Sequence, residues 1–264
     1  MTNLSIDEKM SQQRANLWAL IPCGGTGKRA NSEAQSEVLN QVPNQVPKQY
    51  RVLAGQPMIL HTLTAFAAVR QLQGVMVVVA PDDGIVDELL ETSKQSFATV
   101  MIANKAGNTR ADTVFNGLKA LRTQGAQLTD WVLVHDAARC LIAPNQINAL
   151  IAACQDDEVG GLLALPLADT LKHEESGRVA QTLDRSDKWL AQTPQMFKLG
   201  ALLEALEAAK LADEVITDES SAMEREGFSP KLVRGSSQNF KITYPEDFAL
   251  AEAVLLSRQL SHAK

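Results

Sequence analysis

The stretch that decides the fold is Leu17-Trp-Ala-Leu-Ile-Pro22, followed at once by Cys23-Gly-Gly-Thr-Gly-Lys-Arg29. The apolar run predicts a buried strand, and the glycines after it let backbone N–H groups face an anion without clashes from Cβ atoms. We therefore expect a phosphate-binding loop, with positive charge from Arg29 and from Lys48 of the later segment Pro47-Lys-Gln-Tyr50. An ordinary glycine-rich turn beside solvated basic residues explains the same pattern equally well.

Further apolar runs alternate with amphipathic stretches along the chain. The predicted strands are Gly74–Ala80, Ala98–Ala103, Trp131–His135, Gly161–Leu165 and a short one at Lys231–Arg234. The predicted helices are Pro57–Val69, Gly84–Lys94, Thr109–Arg122, Pro144–Gln155, Leu199–Ala212, Asp218–Gly227 and a last one that begins at Pro245. This alternation predicts an α/β fold with an open, mostly parallel sheet flanked by helices. Such sheets bind their ligands beyond the carboxyl ends of the strands.

Two polar stretches interrupt the alternation. Residues 31–47 contain the repeat Asn-Gln-Val-Pro twice, which predicts an exposed mobile loop. Residues 166–188 are long, polar and charged, and we expect a projecting arm there, which a hairpin could form. We predict a disordered tail over residues 1–16 and a single domain over residues 17–264.

The composition excludes several classes of protein. The net charge of −6 disfavours binding to nucleic acid, although a local basic cluster can still bind an anionic substrate. The three cysteines lack Cys-x-x-Cys spacing and the histidines are scattered, so neither a disulfide framework nor a zinc site is expected. The N-terminal stretch lacks the apolar segment of a signal peptide, and no apolar run approaches the ~18 residues that span a membrane. We therefore expect a cytoplasmic protein.

The segment Val134-His-Asp-Ala-Ala-Arg139 follows a predicted strand. A carboxylate at the carboxyl end of a strand can hold Mg²⁺ or a ribose hydroxyl, and Asp136 has that place. The alternative is that Asp136 caps the following turn and pairs with Arg139.

Other polar segments also lie at predicted strand or helix ends. Ala106-Gly-Asn-Thr-Arg-Ala-Asp-Thr113 opens a helix, and its N–H and hydroxyl groups could bind a polar ring edge. A simple N-cap by Asn108 or Thr109 is an equal alternative. Later segments, each of which could be an ordinary turn or cap, are Asp184-Arg185, Gln192-Thr-Pro-Gln195, Ile216-Thr-Asp-Glu219 and Asn239-Phe-Lys-Ile-Thr243.

Taken together, these segments resemble the 2-C-methyl-D-erythritol 4-phosphate cytidylyltransferases of the non-mevalonate isoprenoid pathway. The resemblance runs from about Leu17 to Leu255. Its signatures, in chain order, are Gly25-x-Gly27-x-Arg29, Pro47-Lys-Gln-Tyr50, Val132–Arg139, Asp169-Thr170, Thr193-Pro-Gln195, Thr217-Asp-Glu219 and Lys241-Ile-Thr243. Each signature is weak by itself, but all of them occur in the family's order.

The resemblance implies a Rossmann-like nucleotidyltransferase fold that uses CTP with Mg²⁺ and forms a homodimer through the 166–188 arm. It implies that Arg29 and Lys48 stabilise the transition state and that Arg185 and Lys241 position the acceptor phosphate, Arg185 in the neighbour's site. The nucleotide-binding residues that it implies are Pro22, Cys23, Gly24, Gly25, Gly107, Thr113, Asp136 and Ala137. The substrate-binding residues are Asp136, Arg139, Thr170, Arg185, Thr217 and Lys241, and Asp136 is the candidate metal ligand.

The chain departs from the family's usual pattern at several positions. Cys23-Gly24 stands where the family usually has Ala-Ala, Ala106 where it has Gly, and Cys140 where it has Pro. The loop before Lys48 is also longer than usual, and we expect it to close over CTP. A ribitol 5-phosphate cytidylyltransferase and a non-catalytic CTP-binding regulatory protein are alternatives. A nicotinamide-linked oxidoreductase depends on Gly25-x-Gly27 alone.

Overall fold

The central sheet has seven strands in the order β11-β7-β10-β6-β1-β4-β5. They are β1 (Leu17–Pro22), β4 (Leu72–Val79), β5 (Val100–Asn104), β6 (Trp131–Val134), β7 (Gly160–Pro166), β10 (Trp189–Lys198) and β11 (Lys231–Arg234). β10 pairs antiparallel with β6 and β7, whereas the other pairs are parallel. The predicted mostly parallel α/β sheet is therefore confirmed.

The computed structural model describes residues 15–25, 46–93 and 95–262. The predicted tail up to residue 14, Arg29 and residues 31–45 of the predicted loop lie outside these ranges. Within the described residues, no helix combines the length and the apolar character needed to cross a bilayer.

Helices cover both faces of the sheet. They are α1 (Met58–Ala67), α2 (Ile85–Thr92), α3 (Arg110–Thr123), α4 (Pro144–Cys154), α5 (Leu199–Leu211), α6 (Glu219–Arg225) and α7 (Pro245–His262). Side chains of β1 alternate between two cores: Ala19 and Ile21 pack with residues of α1 and α4, whereas Trp18 and Leu20 pack with residues of α3 and α5. This two-residue alternation is the geometry of a strand that is buried on both faces.

The sequence-based element bounds are close, but β10 was not predicted. Gln192-Thr-Pro-Gln195, for which an ordinary turn or cap was the alternative, lies inside this strand. His135, expected at the end of a strand, follows β6, which ends at Val134. A short 3₁₀ helix, Lys48–Tyr50, precedes the small strands β2 (Val52–Leu53) and β3 (Gln56–Pro57).

The segment predicted as an arm contains a hairpin of β8 (Leu171–Glu175) and β9 (Arg178–Leu183). Ser176 and Gly177 connect the two strands, and both have positive φ angles, 53° and 77°. Two residues of this kind suit the turn that matches the twist of antiparallel strands. The hairpin forms a separate two-stranded sheet, and the structure shows a single protomer, so the predicted dimer contact stays a prediction.

A buried carboxylate fastens β1 to the loop before β6. Asp130, which is 2% exposed, accepts hydrogen bonds from the Trp18 indole at 3.0 Å and from the backbone N–H groups of Gln127 at 2.8 Å and Asn16 at 2.9 Å. These contacts lie at the end of the sheet opposite to the carboxyl ends of the parallel strands.

Replacing Asp130 with Ala is expected to lower the free energy of unfolding by about 2 kcal/mol, because the buried Trp18 indole N–H loses its acceptor, at a cost of roughly 1–3 kcal/mol, and two part-buried backbone N–H groups lose theirs. Urea unfolding measures this, with the exposed Asp156→Ala as the matched control. A loss no larger than that of the control would contradict the role assigned to Asp130.

Candidate active site

The predicted site segments meet at the carboxyl ends of the parallel strands. Pro22 ends β1 and Cys23–Gly25 follow it, Ala106 and Gly107 follow β5, and His135–Arg139 follow β6. Backbone hydrogen bonds from Cys23 and Ala106 to the carbonyls of the neighbouring strand β4 measure 2.8 Å each and hold two of these segments against the sheet. The edge is therefore built from backbone loops that the strand register brings together.

Asp136 is the carboxylate at the centre of this edge. Its Oδ1 accepts from Nε of Arg110 at 2.8 Å, and its Oδ2 contacts Nζ of Lys241 at 2.9 Å. Burial raises the pKa of Asp136, but Arg110 and Lys241 outweigh burial and hold that pKa well below its usual range. Asp136 is therefore ionised.

The pairing of Asp136 with Arg139 that the alternative expected is present as a long ion pair, but Arg110 and Lys241 are closer to the carboxylate. Nε of Arg139 lies 3.7 Å from Oδ2, beyond hydrogen-bonding distance, and finds no hydrogen-bond partner among the described residues. The other guanidinium nitrogens of Arg139 donate to the carbonyls of Asn239 at 2.7 Å and Ala191 at 3.2 Å. Arg139 is thereby held beside Asp136 by the backbone of two other segments.

Arg110 and Glu219 are site residues that the sequence interpretation missed. Two guanidinium nitrogens of Arg110 donate to the two carboxylate oxygens of Glu219, at 2.6 and 2.9 Å, and Glu219 is 1% exposed. Both residues lie in the first turn of a helix, α3 and α6 respectively. The sequence does contain a signal for Arg110. A cation in the first turn of a helix is unfavourable beside the helix dipole, so its presence there indicates another role, such as an ion pair.

Lys48 is fixed by its two neighbours in the 3₁₀ helix. The Gln49 amide donates to the carbonyl of Cys23 at 2.8 Å, and the Tyr50 hydroxyl donates to Asp83 at 2.5 Å. Nζ of Lys48 donates to the carbonyl of Ile242 at 2.6 Å. Because Ile242 follows Lys241, the Lys48 side chain reaches the segment that carries Lys241.

The α3 end of the site is a capped helix. Thr109 and Asp112 form a reciprocal capping box, so the N-cap alternative is confirmed for Thr109. The Thr113 hydroxyl accepts from the Gly107 N–H at 3.0 Å and donates to the Thr109 carbonyl at 2.9 Å. A Cβ at Gly107 would lie 2.3 Å from Cβ of Asp112, so this turn requires glycine.

The departures at residues 24 and 106 are in contact. A Cβ added to Gly24 would lie 2.2 Å from the Cβ of Ala106. Where the family usually has Ala followed later by Gly, this chain has Gly24 and Ala106. One methyl group occupies the space in either arrangement, so the two departures compensate each other.

The remaining predicted site residues make other contacts. Thr170 and Arg185 are exposed in the arm, where Arg185 donates to the carbonyl of Leu167 at 3.5 Å. The Thr217 hydroxyl donates to the Ser221 hydroxyl at 3.3 Å, just before Glu219. Ala137 is buried, and its carbonyl accepts from Thr62 at 3.3 Å.

The fit of Mg²⁺ to this edge depends on Asp136. The described residues contain no group of three or more histidine, cysteine or acidic side chains that could hold a metal. Mg²⁺ is commonly bound through one or two carboxylates together with substrate phosphates, so a single hard oxygen donor at a phosphate-binding edge fits that chemistry.

Comparison with known proteins decides the family. The family model for 2-C-methyl-D-erythritol 4-phosphate cytidylyltransferase matches residues 17–257. The chain belongs to this family. A crystal structure of 4-diphosphocytidyl-2C-methyl-D-erythritol synthase is 37% identical, with a TM-score of 0.76 over 91% of this chain and 98% of the other.

Two curated relatives differ in length. A bifunctional enzyme IspD/IspF of Albidiferax ferrireducens is 59% identical over 241 residues, which cover 91% of this chain and 53% of that relative. A 2-C-methyl-D-erythritol 4-phosphate cytidylyltransferase of Paraburkholderia phytofirmans is 47% identical over 247 residues, covering 91% of this chain and 96% of that relative. The chain thus spans about half of the bifunctional relative and nearly all of the other one.

Replacing Gly24 with Ala is expected to destabilise the protein by about 1–3 kcal/mol, the usual cost of overpacking. Adding Ala106→Gly should recover most of that loss, because it removes the methyl group in the way. A double-mutant cycle from urea unfolding measures the coupling, with Ala106→Gly alone as the control. Additive effects would refute the compensation.

His135 makes stability depend on pH. It is fully buried, its Nδ1 lies 3.0 Å from the Thr193 hydroxyl and its Nε2 lies 3.2 Å from the Arg139 carbonyl, which can only accept. Burial is the main cause that lowers its pKa to about 3. At a pH below about 6.5, the ordinary pKa of histidine, His135 therefore binds a proton in the unfolded chain but stays neutral in the folded chain.

Acidification from pH 7 to pH 5 is expected to cost the wild type about 2 kcal/mol more than the variant His135→Gln, since one proton per molecule contributes ~1.4 kcal/mol per pH unit below pH 6.5. Asp136 adds nothing in this range, because a depressed carboxyl pKa costs stability only below about pH 4. The pKa of His61 is also lowered by burial, but His61 is common to both proteins and cancels. Equal slopes in urea unfolding would contradict the prediction.

Proposed function

We propose that the chain transfers CMP from CTP to 2-C-methyl-D-erythritol 4-phosphate and releases pyrophosphate. Membership of the cytidylyltransferase family over residues 17–257 carries this proposal. The placement of Arg110, Arg139 and Lys241 around Asp136, with Lys48 on the carbonyl of the residue after Lys241, supports it, because the reaction brings two anions together.

In the proposed reaction, a phosphate oxygen of the acceptor attacks the α-phosphorus of CTP, and the bond to the leaving pyrophosphate breaks. The acceptor phosphate is already an anion near neutral pH, so no strong general base is required. Repulsion between two unit charges about 4 Å apart amounts to roughly 4 kcal/mol at an effective dielectric constant near 20. Catalysis therefore depends on preorganised positive charge and on positioning.

The basic residues divide this work. Lys48, together with Arg29, would stabilise the charge that develops on the transferred group, while Lys241 would hold the acceptor phosphate. An ammonium group has three N–H donors, so the contact between Lys241 and Asp136 does not prevent a second contact to a phosphate. The backbone N–H groups of Gly24 and Gly25, together with the Gly107–Thr113 turn, would bind the nucleotide. Asp136 is the residue that would hold Mg²⁺, and the ion would supply further positive charge.

A homodimer would complete the site in this proposal. Thr170 and Arg185 lie in the arm, and exposed apolar side chains accompany them, with Val179, Trp189 and Leu190 exposed by 64%, 39% and 53%. Contact with a second copy would bury this apolar surface and could bring Arg185 to the neighbour's acceptor. We also infer a cytoplasmic location, because CTP and a sugar phosphate are charged metabolites that do not cross membranes unaided.

The direct test is pyrophosphate release from CTP and Mg²⁺ with 2-C-methyl-D-erythritol 4-phosphate or with ribitol 5-phosphate. Release with the first and little with the second is the expected result. The reverse preference would identify ribitol 5-phosphate as the acceptor. No release with either, while CTP still binds, would favour a regulatory protein.

Lys48→Ala is expected to lower kcat by at least about 10²-fold, the usual cost of losing one preorganised donor to a developing charge. Arg29→Ala should lose a similar factor. Lys119→Ala, at an exposed position of α3, is the matched control and should keep wild-type turnover. Near-wild-type turnover in Lys48→Ala would remove that lysine from the mechanism.

A further inference from the structure

Arg110 joins three segments of the site that are far apart in sequence. It begins α3, directly after the Gly107 turn, and it contacts Asp136 after β6 and Glu219 at the start of α6. Thr217, a predicted acceptor-side residue, lies just before Glu219. The side chain of Arg110 therefore bridges the nucleotide side and the acceptor side of the site.

The geometry uses the whole guanidinium fork. Nε donates to Oδ1 of Asp136, while the two terminal nitrogens donate to the two oxygens of Glu219. A planar guanidinium with both carboxylates bound cannot rotate, so Oδ1 of Asp136 is held in one place. The other oxygen, Oδ2, then faces Nζ of Lys241 at 2.9 Å.

The charges of the cluster favour an anionic ligand. Arg110, Arg139 and Lys241 are cations, whereas Asp136 and Glu219 are anions, which leaves one net positive charge. Glu219 is 1% exposed and binds Arg110 with both carboxylate oxygens, so its negative charge offsets the positive charge of Arg110. Lys241 and Arg139 then share one carboxylate between them, and their excess charge remains for a phosphate.

We propose that Arg110, braced by Glu219, is a positioning residue that orients Asp136 and through it sets Lys241 for the acceptor phosphate. This inference rests on the proposed function and assigns Arg110 no contact with the reacting atoms. It predicts that loss of the bridge impairs the acceptor side of the reaction more than CTP binding, because Lys241 depends on Asp136 whereas CTP has further contacts at the glycine-rich segment after β1 and the Gly107–Thr113 turn.

The decisive variant is the pair Arg110→Gln with Glu219→Gln. Removing both charges together avoids leaving a buried carboxylate without its partner, which would itself destabilise the fold. The single variant Arg110→Lys keeps the charge but lacks the rigid planar fork that binds one oxygen of Asp136 and both oxygens of Glu219 at once. The control Lys210→Gln breaks an exposed ion pair, 2.6 Å long, between α5 and Asp112 in the same first turn of α3.

Steady-state kinetics are measured with each substrate varied in turn, after thermal unfolding has confirmed a folded protein. For the paired variant we expect kcat/KM for the acceptor to fall about 10²-fold, as misplacement of a catalytic group by about 1 Å can cause, and KM for CTP to change less than about threefold. Arg110→Lys should lose a similar factor, and Lys210→Gln should match the wild type.

The inference would be overturned if either the paired variant or Arg110→Lys is folded and keeps the wild-type kcat/KM for the acceptor. An equal rise of both KM values at unchanged kcat would also overturn it, since that pattern marks general loosening of the site. A wild type that releases no pyrophosphate would instead refute the proposed function, and this inference with it.

Discussion

Burial of the sheet on both faces is the constraint on which the rest of the structure depends. Strands β1 and β4 send alternate side chains into two separate cores, so neither face can carry polar chemistry. The polar groups beside these two strands lie at the strand ends, where the chain leaves the sheet and backbone N–H groups need other partners. The glycine-rich segment after β1, the capped turn before α3 and the segment after β6 occupy the same edge for this reason.

The same burial gives charge at this edge its strength. A carboxylate such as Asp136, 8% exposed, would be neutralised by desolvation if it had no cation nearby. Arg110 and Lys241 keep it ionised, and Asp136 in turn holds both cations in place. Weak screening at such a site strengthens these ion pairs, and it would equally strengthen the attraction of the net positive cluster for a phosphate.

Local patterns in the sequence predicted the parts of the fold that depend on local physics. The apolar runs at Leu17–Pro22 and Lys231–Arg234 became strands with the predicted bounds, and α7 begins at Pro245 as expected. β10 was missed because Gln192 and Thr193 are polar and precede a proline. They are buried nevertheless, since each hydrogen-bonds to a distant segment: the Gln192 amide to Ser236, and the Thr193 hydroxyl to Asp136 and His135. Partners of that kind leave no periodic signal in the chain.

The site shows the same division between local and distant information. Lys48, Asp136 and Lys241 are candidates that the sequence offers because each lies in a short motif, but the bond between Arg110 and Glu219 joins residues 109 positions apart. Departures from a family pattern also have meaning only in space. Gly24 and Ala106 are far apart in sequence but touch in the structure, and there is space for a methyl group at only one of the two positions. Cys140, where the family usually has proline, is 2% exposed and packs with Leu141 and Ile242, so an apolar side chain of modest size fills that position. A substitution such as Cys140 that departs from a motif can therefore preserve the packing of the core. The same core cluster contains Ile242, whose carbonyl binds Lys48.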